Sequence, residues 1–272
     1  MSFDVRRGFH HDLDVVRDDI VRLAGMTTEA VATATQVLLD GDLAAADELI
    51  QRDDVLDTLS LEIEERCYQL LALQQPMATD LRALVTAIRM VAEIERSGDL
   101  AVNIVKAARR MYGVELDPKL RGLLARLGEE ANRLFRLAID AYVDRDAGLA
   151  AALDDMDDTV DLLHRDYIAS IFETYDARAT GLQPAVQLAL VGRYYERIAD
   201  HAVNIGERVR YMVTGWLPEH TGAARQAALE RGDSPLDPSD RQGEGQADRR
   251  SEGKRRSAAG AAENGEGEVE GA

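Results

Sequence analysis

Apolar residues recur at steps of three, four and eight from Leu13 through Val16, Ile20, Leu23, Val31, Ala34 and Leu38, with Arg and Asp between them. That spacing predicts an amphipathic helix over residues 8–39 with one core face. The pattern resumes through Leu49, Leu56, Leu59, Ile63, Cys67 and Leu70, which predicts a second helix over 42–73 whose other face is dense in acids. A third helix, 77–112, carries Leu81, Leu84, Ile88, Val91, Val102 and Val105 and is the less polar of the three, as a centrally packed helix should be. Three more stretches repeat this order of roles at 117–143, 147–175 and 182–214. The breaks between stretches fall at Asp40-Gly41-Asp42, Pro76, Pro118, Asp144-Arg145-Asp146 and Pro184. Proline punctuates helices, and aspartate before an apolar run offers an N-cap. The expected fold is all-α: six long helices in two tandem, structurally similar three-helix bundles. Helices of about 30 residues run roughly 45 Å, a length suited to elongated bundles.

The halves are also related in sequence. Residues 95–104, Glu-Arg-Ser-Gly-Asp-Leu-Ala-Val-Asn-Ile, recur at 196–205 as Glu-Arg-Ile-Ala-Asp-His-Ala-Val-Asn-Ile, with seven of ten identical. The second and fifth helices align as well, with Asp53, Asp54, Asp57 and Leu59 set against Asp157, Asp158, Asp161 and Leu163. The expected domains are a first repeat over 1–114 and a second over 115–216. Gly98 inside a helix costs about 1 kcal/mol relative to alanine, which signals close approach by a neighbour, whereas the second copy has Ala199.

In each block Glu, Asp and Asn stand at i, i+4 and i+8, on one narrow helix stripe. If each block faces the middle helix of its bundle, Glu95 and Asp99 meet Asp53 and Asp57, with Asn103 further along the stripe. Glu196 and Asp200 then meet Asp157 and Asp161, with Asn204 beyond. Four carboxylates brought together must raise their pKa values or hold a counter-ion. Oxygen donors suit hard cations such as Mg²⁺, Mn²⁺ or Fe. Arg96 and Arg197 could instead neutralise the acids, and the two asparagines could bridge helices. His164 and His201 are expected at the surface.

Composition narrows the partners. The chain of 272 residues carries a formal charge of −18, and the last 56 residues hold 12 acidic and 8 basic residues, so the charge belongs mainly to the helical part. Nucleic acid is an unfavoured partner for such a surface. Cys67, the single cysteine, is expected to be a buried, inert thiol. No run approaches the 18 or so apolar residues of a membrane span, so no membrane insertion and a cytoplasmic location are expected. Beyond Trp216 the pattern fails into Gly, Pro, Ser, Arg and Glu, and 217–272 reads as a disordered low-complexity tail.

The duplicated blocks resemble the E-R-x-x-D-x-x-x-N motifs of the PhoU family, and residues 1 to about 216 fit that family's layout of two similar three-helix bundles. The resemblance implies a non-enzymatic protein that negatively regulates phosphate uptake and starvation signalling. It implies as partners a phosphate ABC transporter ATPase and a sensor histidine kinase, together with assembly as a homodimer. It also implies a divalent or trivalent metal ion (Fe, Mn, Mg or Zn) at the paired motifs. Two other readings stay open: a metal-free helical adaptor, and a di-iron carboxylate oxidase. The oxidase needs Glu-x-x-His on two helices, and Gly98 and Ala199 stand where the histidines would be.

Overall fold

The computed structural model describes residues 2–177 and 181–216, with side chains from residue 8 onward. The expected tail lies outside the described residues. Six helices follow in order: α1 (Ser2–Asp40), α2 (Leu43–Gln74), α3 (Thr79–Arg110), α4 (Pro118–Asp144), α5 (Ala147–Asp176) and α6 (Leu182–Thr214), with no strand among the described residues. Five of the six keep within two residues of their expected bounds; α1 starts six residues earlier. Asp42, Asp117 and Asp146 cap α2, α4 and α5 through side-chain bonds to the first backbone amides, so the turns read from sequence are chemically made.

Three helices pack on one another in each half: α1, α2 and α3 in the first, α4, α5 and α6 in the second. The halves meet through α3 against α6 and α1 against α4, while among the described residues α2 and α5 pack against helices of their own half. One continuous apolar core runs from Phe9 to Met212, built mainly of Leu, Ile, Val and Ala. Cys67 is buried within it, and burial pushes its thiol up to about 12, which leaves it protonated and unreactive.

Two arginines reveal how the halves are related. Arg17 on α1 donates to the carbonyl of Val143 near the end of α4 (2.6 Å), and Arg121 on α4 donates to the carbonyl of Leu39 near the end of α1. Donor and acceptor are each displaced by 104 residues between the two contacts, the offset that aligns α2 with α5. Reciprocal contacts of this kind are what a two-fold axis generates, so α1 and α4 are related by an internal pseudo-two-fold. Consistent with that, α3 and α6 run antiparallel: Arg82 and Thr86 near the start of α3 donate to the carbonyls of Met212 and Arg208 near the end of α6.

Candidate functional site

The first acidic cluster is built on the seam between α2 and α3. Leu56 is buried there, and a Cβ on Gly98 would lie 2.9 Å from its Cδ1, so the missing side chain is what lets α2 approach α3. Asp53 and Asp57 flank Leu56 on one side of the seam, and Glu95 and Asp99 flank Gly98 on the other. Burial, followed by the charges of Asp57 and Asp99, pushes the Asp53 carboxyl up. Burial and then Asp99 raise Asp57, while burial, Asp99 and Asp57 raise Glu95. All four predicted carboxylates therefore share one electrostatic neighbourhood. No ion pair joins any of them to a cation among the described residues.

The second cluster occupies the equivalent seam between α5 and α6 but is wired differently. Burial, then Asp161 and Asp200, pushes Asp157 up to about 6. Glu196 is already partnered, by Arg193 one turn earlier on α6 and by His164 Nδ1 of α5 at 3.3 Å. Arg193 also reaches Asp200 at 4.0 Å. In the first half, the repeat places Ala92 where Arg193 stands and Ser60 where His164 stands, so neither partner has a counterpart. His164 is thus a largely buried partner of Glu196, not the surface histidine expected, because α5 turns it under that carboxylate.

Asn204 and His201 depart further from the expectation. The Asn204 amide donates to Glu93 of α3 (3.2 Å), so it bridges the two halves and its donor is not turned to the α5 carboxylates. His201, expected at the surface, is 3% exposed, with Nδ1 2.9 Å from the same Glu93 oxygen. Burial pushes Glu93 up, but the contacts from His201 and Asn204 together outweigh it and leave its carboxyl below the usual range. Asn103, at the matching position of α3, makes no hydrogen bond to another described residue. Glu93 and Arg193 were not singled out from sequence. The signal for Glu93 was an acid set among Met90, Val91 and Ile94 on the core side of α3.

For a metal ion, the donor chemistry at both seams is suitable, since carboxylate oxygens bind hard cations. The geometry is incomplete as the side chains stand: among the described residues no three His, Cys, Asp or Glu side chains converge on one metal position.

The PhoU domain family model matches this chain twice, over residues 20–108 and 124–209, one match in each half. The chain belongs to the PhoU family. It is 38% identical over 216 residues to a Mycobacterium leprae protein named phosphate-specific transport system accessory protein PhoU homolog 1, covering 79% of this chain and 96% of that relative. A Mycobacterium tuberculosis relative with the same description, homolog 2, is 37% identical over 215 residues, covering 79% and 100%. The crystal structure of PhoU from Pseudomonas aeruginosa superposes with a TM-score of 0.71 at 29% identity, covering 76% of this chain and all of that one. In PhoU terms, the family match ends within α6 at residue 209, before the tail begins.

Proposed function

We propose that this PhoU-family protein is a cytoplasmic regulator that docks on a phosphate ABC transporter ATPase and a sensor histidine kinase. In this role it restrains phosphate uptake and starvation signalling when phosphate is plentiful. The observation that carries the reading is family membership across both halves, at full or nearly full coverage of relatives named as accessory proteins of phosphate transport. The surface supports docking: Tyr68 on α2 and Phe172 on α5, 104 residues apart, are both more than half exposed, at 53% and 64%. Leu73, Met77 and Leu182 are exposed apolar residues as well, and exposed apolar area is of the kind that marks interaction sites. The test is a pulldown of the purified ATPase and of the kinase's cytoplasmic part, with the parent protein and with the double variant Tyr68→Ser, Phe172→Ser. Capture by the parent and loss in the variant is expected; no capture of either partner by the parent ends the proposal. Light scattering of the purified protein tests the expected homodimer.

A second reading concerns metal. The mutual repulsion of Asp53, Asp57, Glu95 and Asp99, with no ion pair to relieve it, favours a hard cation (Fe, Mn, Mg or Zn) between α2 and α3 once the side chains rotate inward. The α5/α6 cluster already holds Arg193 and His164, so its affinity is expected to be lower. Elemental analysis and calorimetry with Mn²⁺ test this, with Glu95→Gln, Asp99→Asn removing the tighter site. A protein that neither retains nor binds any of these ions rules the reading out.

A further inference from the structure

A cavity of about 380 Å³ lies between α1, the start of α3 and the C-terminal ends of α4 and α6. Its lining is richer in arginine than in acid. Arg17, Arg82 and Arg145 all line it, against two acids, Asp14 and Asp80, in a chain whose formal charge is −18. None of the three arginines forms an ion pair with a described residue. Arg17 is instead anchored by the carbonyl of Val143 (2.6 Å), and Arg82 by the carbonyl of Met212 (3.2 Å) and the hydroxyl of Thr79 (3.3 Å). A guanidinium has five N–H donors, so anchoring by one or two leaves the others directed elsewhere.

Arg145 is the informative residue. It ends α4 in the left-handed region, with φ 53°, where glycine is the usual occupant. At the matching end of α1, 104 residues earlier, the chain does use glycine: Gly41 has φ 71°. The rest of the pseudo-equivalent position is also different. Arg121, the counterpart of Arg17, is neutralised by Asp40 at 3.1 Å, and Gln183 stands where the repeat would match Arg82. The chain therefore accepts a strained backbone to set a third cation in this cavity and not in its mate, and an observed outlier of this kind points toward function.

We propose that this cavity binds a phosphate-class oxyanion, inorganic phosphate or pyrophosphate, held by the guanidinium forks of Arg17, Arg82 and Arg145. Arginine presents parallel N–H groups that match two oxygens of a phosphoryl group, and three unpaired guanidinium groups supply charge for a dianion. Tyr142, buried in the cavity wall beside Arg17 and Arg145, keeps its proton there and offers a hydroxyl donor. The site is independent of the docking reading, because it is assayed on the protein alone.

The experiment is calorimetric titration of the full chain with inorganic phosphate and with pyrophosphate in chloride buffer, for the parent, Arg145→Gly and Arg121→Ala. Saturable binding by the parent to at least one of the two is expected. Arg145→Gly should lose affinity by about ten-fold or more, the loss of one charge-assisted contact. Its melting temperature should not fall, since glycine relieves the left-handed backbone and is the residue at the matching turn. Arg121→Ala, outside the cavity, should bind as the parent does. Absence of saturable binding at several millimolar, or undiminished binding by Arg145→Gly, overturns the proposal.

Discussion

Glu93 sits among core positions of α3, yet it is held charged by two groups from the other half of the molecule, His201 and Asn204. Its carboxyl lies below its ordinary value near 4.5, so its contribution to stability is complete above that pH and fades as pH falls through the folded value. Glu93→Gln keeps the shape but removes the charge. It is expected to cost roughly 1–3 kcal/mol in urea unfolding at neutral pH, the range for a hydrogen bond to a buried charged group, and much less in acid. Asp157 works in the opposite sense. Its carboxyl is pushed up from 3.8 to about 6, so the folded state binds the proton more tightly, and the resulting stability is full below 3.8 and lost as pH rises through 6. Asp157→Asn should therefore gain about 1 kcal/mol at pH near 7 after allowance for solvent screening, with little difference from the parent near pH 4. Equal unfolding midpoints for parent and variant across that whole range would show that the carboxylate cluster imposes no cost.

At the scale of helices, the seams α2/α3 and α5/α6 are fitted by exchanging bulk between partners. Leu56 faces Gly98, and the repeat sets Val160 and Ala199 at the same places. Tyr167 lies against Gly192, where the first half has Ile63 and Val91. The loss of Gly98 from the second copy is thus a volume exchange with its neighbour and is no sign of a damaged site. Gly206 is less forgiving, because an added Cβ would lie 2.8 Å from the backbone carbonyl of Ala150 as well as 2.6 Å from Leu153. Gly206→Ala is expected to lower stability by about 1–3 kcal/mol despite the better helix propensity, since a backbone atom cannot rotate away. Gly98→Ala meets the end of a leucine side chain, and its cost should be recovered in the double variant with Leu56→Val, as a double-mutant cycle in urea would register. The helices themselves were legible from sequence because period and punctuation are local: Leu, Ile and Val steps placed the faces, and Asp42 and Asp146 placed the starts. The four carboxylates of each seam were legible for the same reason, through spacing on two helices. The fates of Asn204, His201 and His164 were not. Each is decided by a partner on another helix, Glu93 lying more than 100 residues from both Asn204 and His201, and spacing along one helix carries no information about that.

Across the whole helical part, the duplicated halves do not behave as two separate folds. The described residues form a single compact unit. Thr35 of α1 and Tyr195 of α6 share a buried hydroxyl contact of 2.7 Å, Asn204 of α6 donates to Glu93 of α3, and Arg17 and Arg121 brace the two halves reciprocally. The apolar faces of α3 and α6 that meet across the pseudo-axis would be exposed in either half alone, and exposing a face of that size outweighs the few kcal/mol by which a small bundle is stable. The expected outcome is one cooperative urea transition, with circular dichroism and Trp216 fluorescence at the end of α6 tracing the same curve. Tyr195→Phe provides the control. It removes a buried hydroxyl from the contact between halves and leaves Thr35 to its own carbonyl partner, Val31. A shift of the single midpoint equivalent to about 1 kcal/mol, with unchanged slope, is expected. Two resolved transitions in the parent, or a Tyr195→Phe curve in which one half melts first, would mean that the pseudo-two-fold joins two independently folding bundles.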